Sequence, residues 1–361
     1  QAGDDGCAAR LAGRASGRAV ADHVTRMSDL PLLSGDLLPG ATVGSYVVEG
    51  VVGRGGMGTV YRARDPRLDR VVALKLVAAA VAQDVEFRER FLREARSAAA
   101  IEHPHIVPVH EVGEHHGQPF LAMRYVDGPD LREVLAVSGP LEPARVGSIA
   151  LQLSSALDVA HAKGLVHRDI KPANIMLPLD DVHDAGHVYL TDFGVARKSA
   201  ATTMTDGGDL VGTLAYVAPE VIAGQPATRA SDLYALACTL FHLLCGRPPF
   251  TSDHDAGLLW AHMNQEPPAA TSLVPELPEQ IDAAFAQALA KAPEDRPATC
   301  TAFAERLSEA LEDLGSGAVV VLEGPEGVTR VVRGGAGSLA TVVQRLPGGE
   351  AAADAARPQP D

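Results

Sequence analysis

The stretch His167-Arg168-Asp169-Ile170-Lys171-Pro172-Ala173-Asn174 carries residue types suited to moving a phosphoryl group onto a hydroxyl. Asp169 is a carboxylate able to orient an attacking hydroxyl and accept its proton. Lys171, two residues on, can neutralise charge on the group in transit. Asn174 offers an amide oxygen to a hard cation such as Mg²⁺. Pro172 interrupts any helix, so the stretch must be a loop. All these types at this spacing are a specific signal. Downstream, Asp192-Phe193-Gly194 follows a strand-like run, Val188 to Thr191. Alone the tripeptide has little weight. In order after the loop, Asp192 reads as a second oxygen ligand for a Mg²⁺ that bridges ATP phosphates.

Upstream lies Gly53-Arg54-Gly55-Gly56-Met57-Gly58-Thr59-Val60-Tyr61. Glycines allow close backbone approach to phosphates and positive φ. A plain hairpin turn would explain the glycines by themselves. Strand-like sequence on both sides favours a hairpin folded over nucleotide phosphates rather than a dinucleotide-binding strand–helix turn. Val72-Ala73-Leu74-Lys75 then ends an apolar strand in an ammonium that needs an anionic partner. Glu94, on the following helical stretch, is expected to supply the carboxylate that fixes Lys75. Last comes Ala218-Pro219-Glu220, preceded by Gly212-Thr213 and followed by Asp232 and Arg296. In isolation it would read as a turn and a helix start.

These groups need a scaffold. Residues 1–40 read as a disordered leader ending in Leu38-Pro39-Gly40. Strands are expected over Tyr46–Val52, Thr59–Arg64 and Val71–Val77. Val85–Ile101 has helical spacing, with Phe87, Phe91, Leu92 and Ala95 on one face and Pro104 marking its end. Strands over Val107–Val112 and Pro119–Val126 complete a small first lobe. After Asp127-Gly128-Pro129 the pattern turns helical, over Ala144–Lys163, Arg229–Leu244, Ile281–Ala290 and Ala302–Leu314. The second of these is apolar enough to be the buried centre of a second lobe. From 315 to 361 the chain is low in complexity. Val319–Leu322 and Val328–Val332 could pair as a hairpin, and Gly348–Asp361 reads as disordered.

The 361 residues allow one large two-lobed domain with tails, and a hydrophobic content of 46% allows a sizeable core. A net charge of −15 argues against a nucleic-acid partner and against adhesion to anionic membranes. Cys7, Cys238, Cys245 and Cys300 form no Cys-x-x-Cys pair and read as buried thiols, Cys238 and Cys245 on one helix face. That usage fits a reducing cytoplasm. No apolar run approaches the length of a membrane span. The expected location is cytoplasmic. Met27 is a plausible alternative start.

With these motifs in register, the chain resembles the eukaryotic-like protein kinase superfamily. Gly-x-Gly-Gly-Met-Gly-x-Val-Tyr with His-Arg-Asp-x-Lys-Pro-x-Asn is similar to its bacterial Ser/Thr members. The resemblance covers about Tyr46 to Leu314, with a first lobe near 46–126 and a second near 127–314. It implies an α+β, two-lobed protein kinase fold: a small N-terminal β-sheet lobe with one helix and a larger, mainly helical C-terminal lobe. It implies transfer of the γ-phosphate of ATP to Ser or Thr hydroxyls of proteins, with Mg²⁺ or Mn²⁺. A pseudokinase or scaffold would use the same fold without turnover, but no catalytic position is missing. The Ala-Pro-Glu segment argues against a small-molecule phosphotransferase.

Carried over by residue, the resemblance makes Asp169 the catalytic base and puts Lys171 on the γ-phosphate. Lys75 contacts the α- and β-phosphates and pairs with Glu94, while Asn174 and Asp192 hold the cation. Gly53, Gly55, Gly56 and Gly58 cover the phosphates. Val60, Ala73 and Met176 sandwich adenine, with Met123 at the gatekeeper position. The backbone of Arg124 and Val126 meets the adenine edge, and Asp130 is placed to reach ribose. Glu220 pairs with Arg296, and Asp232 ties down the catalytic loop. The implied partners are ATP, protein substrates bearing Ser or Thr and, as an option, a second copy through the first lobe. Arg168 beside Asp169 wants an anion, which a phosphate on Thr202, Thr203 or Thr205 would supply, Thr203 and Thr205 being favoured.

Some positions depart from the family pattern. His105 stands where Asn is usual, and Arg124 replaces a common hinge Glu. The segment Pro178–His187 is long, and its Asp180, Asp181, His183, Asp184 and His187 invite a metal reading. A solvated turn fits better, since no rigid element positions them. The histidines at 103, 105, 110, 115 and 116 are likewise spread over separate elements.

Overall fold

The computed structural model describes residues 36–179, 186–193, 214–312, 319–323, 329–333 and 341–343. The leader up to residue 35, Cys7, Met27, the turn at 180–185, Gly194, the threonines at 202, 203 and 205, Gly212-Thr213 and residues 344–361 lie outside the described residues.

The first lobe is a six-stranded antiparallel sheet. Its strands are β1 (Thr42–Val43), β2 (Tyr46–Gly55), β3 (Gly58–Asp65), β4 (Arg70–Val77), β5 (Val109–His115) and β6 (Gln118–Arg124), ordered β1-β2-β3-β4-β6-β5. Alternation sorts the side chains of this sheet. Tyr61, Ala63, Val72, Leu74, Leu76, Phe120 and Ala122 point one way and close a buried cluster with Val43, Tyr46, Val48 and Val51. The opposite face carries Val60, Ala73, Lys75 and Met123, because Val60 lies across from Lys75 and Ala73 across from Met123. One face therefore makes the lobe's core and the other lines a cleft.

The short helix α1 (Ala79–Ala82) leads into α2 (Val85–Ala99). Asp84 caps α2 by accepting the Phe87 N–H at 3.1 Å. Phe87, Phe91, Ala95 and Ala98 form its buried stripe. From Asp36 onward the segment read as leader lies against this lobe: Leu37 N–H donates to Tyr61 Oη at 3.2 Å and Gly40 N–H to Val48 O at 2.8 Å.

The second lobe is helical: α3 (Leu131–Ser138), α4 (Pro143–Ala162), α5 (Pro219–Ile222), α6 (Arg229–Cys245), α7 (Asp255–Asn264), α8 (Gln280–Ala288) and α9 (Cys300–Glu312). α3 starts at a capping box in which Asp130 accepts the Glu133 N–H and Glu133 accepts the Asp130 N–H. Helix α6 is buried along nearly its whole length and ends at Gly246 in the left-handed region. Cys238 and Cys245 both lie on it, and neither they nor Cys300 form a disulfide.

A two-stranded ribbon, β7 (Ile175–Met176) with β8 (Tyr189–Leu190), carries the loops that reach the cleft. Leu190 joins the lobes, since its N–H donates to His105 O at 2.8 Å and its carbonyl accepts the Val107 N–H at 3.0 Å. His103, His105 and His187 come together here, with ring centroids 5.6 and 4.4 Å apart. Each ring bonds to backbone or a hydroxyl: His105 Nδ1 to Val188 O, His187 Nε2 to Pro104 O and His103 Nε2 to Ser155 Oγ. They act as a polar seam behind the cleft. A separate unit holds β9 (Val319–Glu323), β10 (Thr329–Arg333) and β11 (Thr341–Val343) as an antiparallel sheet with β10 central, so a third strand joins the expected hairpin.

Candidate active site

Below the β3–β4 face, the loop between α4 and β7 holds Asp169, Lys171 and Asn174 together. Asn174 Nδ2 donates to the Asp169 carbonyl at 2.6 Å and to Asp169 Oδ2 at 3.0 Å. Lys171 Nζ stands 3.1 Å from the same Oδ2. The Asn174 amide therefore spends its nitrogen on the loop and leaves its oxygen for another partner.

Two features keep this loop in shape. Arg168 has φ 68° and Asp192 φ 56°, both in the left-handed region that non-glycine residues rarely enter. Asp232, on the first turn of α6 and 1% exposed, holds the strained turn by accepting the N–H of His167 at 2.7 Å and of Arg168 at 2.8 Å. His167 is fully buried, and burial pushes its imidazole below the usual histidine range. Its Nε2–H donates to Thr191 O at 2.9 Å, and its ring packs on Phe193 at 4.7 Å between centroids. Asp192 and the catalytic loop are thereby joined through one buried neutral ring.

Above the loop, Lys75 reaches down to Asp192, Nζ to Oδ1 at 2.7 Å. Glu94 is not its partner. It accepts instead from Arg168 Nη1 at 2.8 Å. The expected Lys75–Glu94 pair is thus replaced by two others, for a physical reason. Two cations and two carboxylates meet in a partly desolvated cleft, where each charge needs a counter-charge. Two pairings satisfy that need. The one seen gives Glu94 the multi-donor guanidinium and leaves the ammonium, a point charge, to Asp192. Asp192 Oδ2 makes no hydrogen bond among the described residues.

The glycine stretch is the hairpin of β2 and β3, closing where Gly55 pairs with Gly58. Gly58 has φ 151°, and a Cβ there would stand 2.1 Å from Leu76 O, so only glycine fits. At Gly53 and Gly56 a Cβ would meet nothing within 4 Å, so the backbone is bare there. Arg54 in this loop is held by Asp36 Oδ2 at 2.7 Å, a contact that sequence reading missed because Asp36 lay in the presumed leader.

Behind the hairpin, Ala73 and Met123 are buried opposite each other, and Val60 lies beside them. Met176 bridges to Asp130 from below. The Arg124 N–H is taken by Pro108 O at 2.9 Å, and Val126 follows in the connection to the second lobe. Asp130 spends Oδ1 on its helix cap and Oδ2 on Arg132 at 3.0 Å, so a ribose hydroxyl would share an oxygen already in use.

At the base, Arg296 binds Glu220 with two parallel bonds of 2.8 Å, and Ser231 Oγ adds a third at 2.7 Å. Burial pushes the Glu220 carboxyl up, but the bonds from Arg296 and Ser231 outweigh it and hold it below the usual range.

A two-lobed fold with these groups at the cleft defines a class, and comparison with known proteins agrees. The protein kinase domain model matches residues 46–308. The chain belongs to the protein kinase family. It is similar to the serine/threonine-protein kinase PknE of Mycobacterium tuberculosis, 44% identical over 261 residues, covering 72% of this chain and 45% of PknE. It is also similar to PknH of the same organism, 43% identical over 274 residues, covering 76% of this chain and 43% of PknH. It thus spans less than half the length of these relatives. Among solved structures, the Mycobacterium tuberculosis PknI kinase domain superposes with a TM-score of 0.62 at 36% identity, covering 76% of this chain and all of that one. Rad53 residues 1–466 superpose with a TM-score of 0.61 at 25% identity, covering 73% and 64% of the two chains. No helix among the described residues is long and apolar enough to cross a membrane.

Proposed function

We propose that this chain is an ATP-dependent serine/threonine protein kinase. The observation that carries the reading is the convergence of Asp169, Lys171 and Asn174 on one loop, facing Lys75 and Asp192 across the cleft. The bare backbone at Gly53 and Gly56 suits phosphates, and Val60, Ala73, Met123 and Met176 make an apolar slot for a purine. The Rad53 structure is a complex with AMP-PNP, which supports a nucleotide as ligand.

In the reaction, Asp169 orients the protein hydroxyl and takes its proton as oxygen attacks the γ-phosphorus. The bond to the β,γ-bridging oxygen breaks, and ADP leaves with that electron pair. Lys171 offsets charge on the transferring oxygens. Asn174 Oδ1 and Asp192 Oδ2 are the hard oxygens that would hold Mg²⁺ or Mn²⁺, which supplies charge neutralisation at the phosphates. Lys171 followed by Pro172, and the names of the relatives, favour Ser and Thr as acceptors. A cytoplasmic setting fits the need for ATP.

The Arg168–Glu94 pair suggests how activity is switched. A phosphate on Thr203 or Thr205 would be a stronger partner for Arg168 than a carboxylate. Glu94 would then be released to Lys75. Phosphopeptide mapping after incubation with ATP and Mg²⁺ should find phosphate on these threonines, and unmodified threonines would reject this switch.

The activity itself is tested by phosphate incorporation into the chain and a generic acceptor protein. Wild type should be active, while Asp169→Asn and Lys75→Met should each lose about 10²-fold or more. Full activity in both variants would overturn the assignment.

A further inference from the structure

A second cluster lies away from the cleft. Asp158 and His161 on α4 and Cys300 at the start of α9 each bring one donor atom within 4.8 Å of the others. Asp158 caps α9, accepting the Cys300 N–H at 3.0 Å and the Thr301 N–H at 2.9 Å, one on each oxygen. An ionised carboxylate has about four lone-pair sites, so beyond these two N–H groups it can also take the Cys300 thiol and a further partner.

The histidine is set up for the same purpose. His161 Nε2 lies 2.8 Å from Asp232 Oδ2, a bond that places the ring proton on Nε2. The lone pair is then on Nδ1, which stands 4.0 Å from Asp158 Oδ1. A histidine that donates one nitrogen to a carboxylate and offers the other to its neighbours has the form of a metal ligand with its supporting shell.

The cysteine completes the set. Its thiol is buried and hydrogen-bonds to the Asp158 carboxylate. A proton is held there among acceptors, where a cation would satisfy the same groups. One carboxylate, one thiolate and a neutral imidazole would just balance a divalent ion, and buried charge is tolerated in that form. The cluster borders a cavity of about 460 Å³ lined by His161, Thr228, Arg296, Thr299 and Cys300, with room for water.

We propose that Asp158, His161 and Cys300 form a binding site for a divalent transition-metal ion, Zn²⁺ by preference, with water from the adjoining cavity as fourth ligand. A mixed oxygen, nitrogen and sulfur set around four positions suits Zn²⁺ better than Mg²⁺ or Ca²⁺, which want oxygen alone. Binding draws the donors toward the spacing of about 3.5 Å that tetrahedral bonds of 2.0–2.3 Å require. As the sulfur–metal bond forms, the Cys300 proton leaves to solvent, and no electrons change hands. The ion would also polarise the His161 ring and strengthen its bond to Asp232, the acceptor that holds the N–H groups of His167 and Arg168. Occupancy would then stabilise the catalytic loop from behind.

The test uses the full chain, stripped with chelator and titrated with Zn²⁺ or Co²⁺. Wild type should bind one ion that Cys300 accounts for, show a thiolate-to-Co²⁺ charge-transfer band, and melt at a higher temperature with Zn²⁺. Cys300→Ala should lose the band and bind at least tenfold more weakly, while Cys245→Ala should keep both. If Cys300→Ala fails to fold by circular dichroism, Cys300→Ser serves, since it also abolishes the thiolate band. No uptake by wild type, or unchanged affinity and band in the Cys300 variant, would overturn the site. Neither readout depends on kinase activity.

Discussion

The cleft and the brace beneath it hold their charges in opposite ways. In the cleft, Lys75, Asp192, Glu94 and Arg168 are partly exposed, with side chains 16–33% accessible, and their ion pairs are short contacts of 2.7 and 2.8 Å within reach of water. In the brace, Arg296 is 0% and Glu220 5% exposed, and two parallel bonds, Ser231 Oγ and the Tyr234 ring 4.9 Å from the guanidinium saturate them. A buried pair that loses a partner leaves an uncompensated charge, whereas a half-solvated pair can exchange one partner for another at small cost. The brace is therefore suited to fix geometry and the cleft to change it.

The largest effect should come from breaking the brace. Arg296→Ala strands the Glu220 carboxylate in a site built for its counter-ion, and should cost about 3–5 kcal/mol in urea unfolding. Asp232→Asn comes next. The amide keeps one acceptor oxygen but loses the charge shared by the N–H groups of His167 and Arg168 and by His161. It should cost about 2 kcal/mol, with a loosening of the loop visible as faster hydrogen exchange at 167 and 168. A loss in either variant no larger than that of a cleft variant would erase the contrast.

A third measurement uses pH. His262 is buried, its Nδ1 2.9 Å from Tyr234 Oη, and burial pushes its pKa down to about 3. The folded chain keeps the ring neutral while the unfolded chain protonates it below about 6.5. Stability is then fully present above that value and is lost as pH falls toward 3. Between pH 7 and 5 the loss from this residue should approach about 2 kcal/mol, and His262→Gln should flatten that part of the profile.

How much of this was legible in the sequence depends on the range of the interaction. The strand over Val71–Val77 was legible as an apolar run ending in a lysine, and once a strand is given, its period of two sets Ala73 and Lys75 on one face, because that period is local. The cap of α3 is also local, set by the three-residue spacing of Asp130 and Glu133. The Asp130 carboxylate, expected at ribose, turned out to be engaged in that cap. Partner choice was not local. Sequence offers Glu94, on the following helix, as a carboxylate for Lys75, but which of two carboxylates meets which of two cations depends on how α2 and the catalytic loop approach each other. The same limit hid Asp36 against Arg54 and the meeting of His161 with Cys300, residues far apart in the chain that share no spacing rule.

The smallest stability effect should come from the cleft itself, and it sharpens the comparison most. Glu94→Gln removes a carboxylate from Arg168 but leaves a carbonyl oxygen to accept its N–H, in a place that water reaches. Its cost in urea unfolding should stay below about 1 kcal/mol. Its effect on turnover should be far larger than its effect on folding. If a phosphate moves Glu94 from Arg168 to Lys75, the variant can no longer fix the ammonium, and the phosphorylated enzyme should lose about tenfold or more in kcat/KM. The unphosphorylated enzyme, in which Lys75 already rests on Asp192, should change little. Equal losses in both states would mean that Glu94 serves only as a structural partner of Arg168, and the cleft would then be no more of a switch than the brace.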